Sequence, residues 1–368
     1  RDLVRSRGLG DVYKRQILNF KNIQAKEFIF TPKINCFVGN NGVGKTNSLD
    51  AIYHLGMGKS YFNPSATQNI AFGEEFYLLE GTFNREKREE IVVCSVKKGQ
   101  KKIIKRNGKT YERIADHIGN FPVVIVSPAD RDLITEGSEE RRKFLDGVIS
   151  QISNSYLQNL INYNKVLAQR NSLLKYFFEN KTYDDTTLSI YDEQLSFYGN
   201  AIYEERINFI NHFIPLFQYQ YETISKGNEN VTLRYESSLS NKKFIDLLLE
   251  NRQKDLSAQY TTQGIHKDDL IFEIERNPIK KFGSQGQQKS FLIALKFAQY
   301  QIIKNQTNIT PILLLDDIFD KLDSSRVSQI ISLVSEENFG QVFISDTDFM
   351  RTENIVKNIF NEYTLIEF

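Results

Sequence analysis

An α/β fold built around a phosphate-binding loop, with a mixed sheet flanked by helices and a helical arm lobe inserted into it, is the class the sequence predicts. Three observations predict it. The run Gly39-Asn40-Asn41-Gly42-Val43-Gly44-Lys45-Thr46 follows an apolar strand and opens a helical pattern. A long-period helical stretch with little glycine or proline interrupts β-rich sequence from about Glu139. An apolar run, Ile312 to Leu315, ends in two carboxylates, Asp316 and Asp317.

The chain has 368 residues, 40% of them apolar, enough for one large or two moderate domains. No apolar run of membrane-spanning length occurs and no secretory leader pattern opens the chain, so a cytoplasmic protein without a membrane partner is expected. Cys36 and Cys94 sit within β-branched or aromatic stretches and read as buried small hydrophobes. Arg1 to Gln16 end in DVYKRQ and read as a translated sequencing-adapter scar, so they stay outside the fold expectation. That segment holds five of the 47 basic and two of the 46 acidic residues, so the rest of the chain has a net charge of −2 rather than +1. A nucleic-acid partner would therefore have to be met by a local basic patch.

Strands are predicted at LNFKN, at FIF and at INCFV before the glycine turn, and a helix over Thr46 to Leu55. Further β-type runs cover 76–83, 90–96 and 102–106, closed by the hairpin signal Asn107-Gly108. Pro122 to Ser127, PVVIVS, reads as a strand buried on both faces. Two helical stripes follow, Phe144, Val148, Ile152, Tyr156, Leu160, Tyr163, Leu167 and then Leu188, Leu195, Tyr198, Ile202, Phe209, Phe213, Phe217. The predicted division is residues 17–138 and 258–368 for the α/β head and 139–257 for the helical arm.

In the glycine run, backbone N–H groups and a helix N-terminus face phosphate oxygens. Lys45 is expected at the β- and γ-phosphates and the Thr46 hydroxyl at Mg2+, with Asn47 completing the loop. The strand ending in Asp316 and Asp317 is expected beside the phosphate-loop strand, with Asp316 on the metal and Asp317 orienting or deprotonating water. Upstream, Ser284-Gln285-Gly286-Gln287 is a small-residue turn feeding a helix, another anion-binding arrangement.

In this order the segments resemble the phosphate loop, signature and Walker B strand of ABC ATPases. LNFKN, GNNGVGKTNSLDAIYHL, SPADRDLITEGSEERRKFLD, GIHKDDL, FGSQGQQKS and LLLDDIFDKLD are together similar to the RecF family, in the SMC-like branch of those ATPases. The resemblance implies an ATP-dependent head-to-tail homodimer in which Ser284, Gln285, Gly286 and Gln287 cap the nucleotide of the other copy. It also implies slow, DNA-stimulated hydrolysis and work with RecR, RecO and RecA on gapped DNA in repair, replication restart and SOS induction. The alternatives are an ATP-gated scaffold and a transporter's nucleotide-binding subunit.

Asp317 stands where such proteins usually carry glutamate, and Asp346-Thr347-Asp348 where many carry a switch histidine. Ser127-Pro128-Ala129-Asp130 stands where a Q-loop glutamine is usual, and Asp320-Lys321-Leu322-Asp323 resembles a D-loop. The candidate DNA contacts are the hairpin residues Lys97, Lys98, Lys101, Lys102, Lys105 and Arg106, weighed against a solvated hairpin face, and Arg141 and Arg142 at the start of the arm. His266 reads as part of a structural turn, and His54, His117 and His212 as packing or surface residues.

Overall fold

The computed structural model describes residues 11–85, 88–227, 229–318, 324–335, 339–359 and 362–368. The chain divides into two compact units, the first formed by Arg1–Arg131, Tyr219–Asn228 and Ser284–Phe368, the second by Asp132–Gln218 and Glu229–Gly283.

Two sheets build the first unit. One is antiparallel, in the order β2-β1-β4-β5-β6-β7, from β1 (Asp11–Phe20), β2 (Ile23–Ile29), β4 (Phe76–Arg85), β5 (Arg88–Lys97), β6 (Ile103–Arg106) and β7 (Lys109–Thr110). The other is wholly parallel, in the order β14-β3-β13-β12-β8, from β3 (Ile34–Val38), β8 (Val123–Val126), β12 (Ile312–Asp316), β13 (Val342–Asp346) and β14 (Tyr363–Glu367). Every residue of β3, β8, β12 and β13 is buried, which explains their unbroken apolar runs. The helix Lys45–Met57 lends Leu49, Ala51, Ile52 and Leu55 to a core that also takes Leu79, Val92 and Ile104 from the antiparallel sheet and Val123, Ile125 and Leu314 from the parallel one. Close approach requires glycine at position 56, since a Cβ there would lie 2.5 Å from Val123 Cγ2 and 2.6 Å from the Phe121 carbonyl oxygen.

Two expectations need correcting. Asp11 to Gln16, left out of the fold expectation, form the first half of β1 and pair with β4 from Asp11↔Asn84 onward. The β12 strand does not lie beside β3, because β13 hydrogen-bonds to both and separates them. An apolar run establishes that a strand is interior; strand order depends on pairings that hydropathy does not encode.

Arg15 enters the core through β1. It is 1% exposed, donates from Nη1 to the Ser48 carbonyl, and leaves Nε and Nη2 without partners among the described residues. Burial pushes its pKa down to about 9, against the pull of Asp50. Asp50 does not depend on it, being bound to Lys21 at 2.6 Å and to Ser60 Oγ at 2.6 Å. Because unsatisfied buried donors cost about 1–3 kcal/mol, Arg15→Leu is expected to stabilise the protein by about 2 kcal/mol in denaturant titration; a loss of stability would show that the guanidinium is needed.

In the second unit, helices Ser138–Ile152 and Asn154–Asn180 and the helix Asp185–Ser225 as far as Gln218 carry the predicted stripes, and β9 (Val231–Glu236), β10 (Asp269–Ile274) and β11 (Asn277–Pro278) form a small antiparallel sheet. Pairing of β10 with β9 from Asp269↔Glu236 to Ile274↔Val231 keeps β10 in this unit. The observed return to the first unit thus falls at Ser284, whereas the predicted one is at 258.

Each unit holds a histidine well below the ordinary imidazole range. His54, 1% exposed with Nε2 3.2 Å from Tyr77 Oη, is pushed down to about 3, first by burial and then by Lys102, Lys21 and Arg15. His266, with Nδ1 2.7 Å from Tyr163 Oη, is pushed down to about 4 by burial against the opposing bond to the Thr261 carbonyl. The unfolded chain binds these protons near pH 6.5 and the folded chain does not, so stability is full above that pH and is lost as pH falls towards 4. Each histidine is expected to contribute a loss of about 1.4 kcal/mol per pH unit in that window. Denaturant melts at stepped pH check this; an unchanged slope in His266→Gln would refute it for the second unit.

Candidate nucleotide site

The phosphate loop leaves β3 at Val38 and closes on the helix Lys45–Met57. Gly39, Gly42 and Gly44 have φ of 147°, 83° and 112°, a region that L side chains rarely adopt. Gly44 is the helix N-cap and supplies no side-chain cap, so the first-turn N–H groups stay available to an anion.

Lys45, 8% exposed, donates from Nζ to the carbonyl oxygens of Gly39 at 2.6 Å and Asn40 at 2.8 Å. Burial lowers its pKa, while Asp316, Asp317 and Asp346 pull it back up. Thr46 Oγ1 donates to Asp316 Oδ1 at 2.9 Å, and Ser345 Oγ to the same oxygen at 2.6 Å. Burial raises the Asp316 carboxyl, with Asp317 adding to it and Ser345, Thr46 and Lys45 opposing. Helix and strand thus meet through Thr46 and Asp316 even though β13 intervenes, and β13 itself supplies Ser345 at its C-terminal end. Asp317, just past β12, has φ of 49°, and its N–H points at the Ser345 carbonyl at 3.3 Å. A non-glycine residue in the left-handed region is uncommon and re-aims the side chain at the strand end.

These groups line one pocket: Asn22, Asn41, Gly42, Gly44, Lys45, Thr46, Asn47, Pro128, Asp316, Asp317, Ser345, Asp346 and Thr347. Gly39 and Asn40 serve it through the carbonyls that hold Lys45, while Val43, 37% exposed, is not among the lining residues. Sequence reasoning missed Asn22, whose Nδ2 donates to the Gly42 carbonyl at 2.8 Å and whose Oδ1 accepts from Asn47 Nδ2 at 2.7 Å. An asparagine between two strands reads only as a turn former.

Asp346 is buried and accepts from the N–H groups of Thr347 and Asp348, from Thr352 Oγ1 and from Arg351. These bonds organise the start of the helix Phe349–Ile359. Of the three switch-region candidates, Asp346 and Thr347 reach the pocket lining and Asp348 does not.

Ser284, Gly286 and Gln287 are absent from the lining of their own copy's pocket. Ser284 caps the helix Gln285–Thr307 in a capping box: its Oγ accepts from Gln287 N, and its own N–H donates to Gln287 Oε1 at 2.8 Å. A Cβ on Gly286 would meet nothing within 4 Å, so the first turn presents its backbone openly. Gln285 lines an adjoining cavity with Pro128, Leu292 and Asp317. The D-loop candidates Asp320, Lys321, Leu322 and Asp323 lie outside the described residues.

The basic residues divide by their contacts. Arg106 grips Glu90 with two bonds, one of them 2.7 Å, Lys98 pairs with Glu75 at 3.1 Å, and Lys102 donates to the Gly58 carbonyl. Lys97, Lys101 and Lys105 are exposed. Arg141 holds Asp269 through two bonds of 2.7 and 2.9 Å, and Arg142 binds Ser138 Oγ and the Asp268 carbonyl. Both guanidiniums are therefore engaged inside the second unit.

A family model described as the RecF/RecN/SMC N terminal domain matches residues 12–362. The DNA replication and repair protein RecF of Flavobacterium johnsoniae is 58% identical over 96% of this chain and 98% of its own length. That of Porphyromonas gingivalis is 43% identical over 95% and 96%. A solved structure of the recombination mediator protein RecF with ATPrS, in the RecFOR pathway, superposes with a TM-score of 0.87 at 29% identity over 98% of both chains. An Smc head bound to the C-winged helix domain of ScpA shares the fold, with a TM-score of 0.57 at 16% identity over 97% of this chain and 94% of its own. The chain belongs to the RecF family of SMC-like ABC ATPases, and ATP binding and hydrolysis come with that membership.

Proposed function

We propose that this chain is an ATP-gated recombination mediator that closes head to tail as a homodimer on DNA, hydrolyses ATP slowly to reopen, and, with RecR and RecO, promotes RecA loading at gaps. The supporting observation is the split between two half-sites: the phosphate loop, Asp316 and Asp317 converge on one pocket, while the capped turn Ser284–Gln287 is not part of it. A second copy supplies that turn to the triphosphate.

Within the pocket, the loop N–H groups hold the phosphates, and Lys45 exchanges the Gly39 and Asn40 carbonyls for β- and γ-phosphate oxygens. Thr46 and Asp316 would hold Mg2+ together with the phosphates, an all-oxygen donor set suited to that ion. When bound, that ion neutralises charge developing on the transferred phosphoryl group. Asp317 orients the water and takes its proton as the water oxygen bonds to the γ-phosphorus and the bond from that phosphorus to the bridging oxygen breaks, releasing ADP and phosphate. Its side chain is a methylene shorter than glutamate and holds the water less closely, in keeping with slow turnover. Of the candidate DNA contacts, Lys97, Lys101 and Lys105 are the best placed to meet DNA phosphates, since Lys102, Arg106, Arg141 and Arg142 hold partners within the fold and Lys98 is paired with Glu75 at the surface.

The test is sedimentation with and without ATP and magnesium, then with gapped DNA, for wild type and Asp317→Asn. Wild type is expected to dimerise only with ATP, and the variant to stay dimeric while turnover falls about 100-fold or more. Copies that remain separate at saturating ATP would overturn the reading.

A further inference from the structure

A chain of polar groups in the first unit, buried except for the half-buried Tyr61, runs from the phosphate-loop helix to the signature helix. Asp50, fully buried one turn after Thr46, accepts from Tyr61 N at 2.7 Å and Ser60 Oγ at 2.6 Å. Tyr61 Oη donates in turn to Asp130 Oδ1. Asp130, 2% exposed, lies in the segment that replaces the Q-loop, accepts from Ser127 N at 2.8 Å through Oδ2, and forms a 2.7 Å ion pair with Lys296. Lys296, 4% exposed, lies midway along the apolar face of the helix Gln285–Thr307, with Nζ also 3.2 Å from Tyr61 Oη. Pro128, two residues before Asp130, lines the nucleotide pocket.

Stability does not account for this arrangement, because a buried ion pair is often no better than well-packed apolar side chains of the same volume. What it adds is a narrow geometry: apolar surfaces slide past one another at little cost, whereas a charge pair at low dielectric resists a small displacement strongly. We infer that Asp130 and Lys296 are positioning residues that transmit the filling of the nucleotide pocket, through the Pro128 segment and Tyr61, to the signature helix, doing here what a Q-loop glutamine would otherwise do. The inference rests on the pocket binding ATP and not on dimerisation.

The experiment uses full-length protein diluted until sedimentation shows it monomeric with ATP, and follows amide hydrogen exchange in residues 285–300 with and without ATP. Wild type is expected to change protection there by about tenfold. The double variant Asp130→Leu with Lys296→Met, which keeps the packing but removes the charges, is expected to bind ATP within twofold of wild type and to lose most of that change. Tyr61→Phe, which keeps the ion pair, is expected to reduce the change at least threefold and is a second reading should the double variant not fold. A double variant or Tyr61→Phe that retains the full change overturns the inference, as does a wild type that binds ATP without any. A wild type that binds no ATP overturns the nucleotide reading and takes this inference with it.

Discussion

Lys45→Ala is expected to weaken ATP binding by two to four orders of magnitude while leaving the melting temperature nearly unchanged. The Nζ group makes two hydrogen bonds, both to loop carbonyls, at 2.6 and 2.8 Å. Bonds from such a cation to phosphate are each worth about 1.5–3 kcal/mol, and two of them amount to roughly a hundredfold to ten-thousandfold in affinity. The fold loses little, since both hydrogen bonds stay within the loop and the helix keeps Leu49, Ile52 and Leu55 in the core, although the charge that faces Asp316, Asp317 and Asp346 is removed. Lys45→Arg should not restore binding, because a planar guanidinium needs more room than an ammonium held this closely. Calorimetric titration with ATP and magnesium checks both variants; wild-type affinity in Lys45→Ala would place the phosphates elsewhere.

The site was legible in the sequence wherever function demands a contiguous backbone conformation. Gly39 to Thr46, Ile312 to Asp317 and Ser284 to Gln287 are each a strand end or helix start whose residue types are set by local geometry, so short strings reveal them. Groups recruited from across the fold were not legible. Asn22 reaches Gly42 from the turn between β1 and β2, and Ser345 reaches Asp316 from β13, contacts that depend on strand order. Asp130 and Lys296 are paired across the fold, and an isolated charge in a string carries no mark of such a partner. The same limit applied to the unit boundary: β10 reads as a return to α/β sequence, and only its pairing with β9 assigns it to the second unit.

Arg170 shows that limit most sharply, and its replacement is expected to have the largest effect on stability. Its helix, Asn154–Asn180, was read from Tyr156 and Tyr163 as an apolar stripe, and the buried face continues through Val166, Arg170, Leu174 and Phe177. The guanidinium is wholly buried, donating to Asp192 at 2.7 Å, Asp255 at 2.7 Å and Thr261 Oγ1 at 2.8 Å, and so joins three helices of the second unit to the segment after them. Arg170→Met preserves much of the volume but removes the cation. Asp192 keeps Arg252, at 2.9 Å, whereas Asp255 is left, among the described residues, with the backbone N–H and hydroxyl of Thr262. Stranding a buried carboxylate costs about 3–5 kcal/mol, so denaturant unfolding of Arg170→Met should show a loss of that size. Adding Asp255→Asn keeps an acceptor for Thr262 and discharges the stranded group, so it should recover about 1 kcal/mol or more. Arg170→Lys, which has a charge but no fork to span both aspartates, should fall between wild type and Arg170→Met. A loss below about 1 kcal/mol in Arg170→Met would mean that water reaches Asp255 once the guanidinium is gone, and that the second unit is held by its apolar stripes alone.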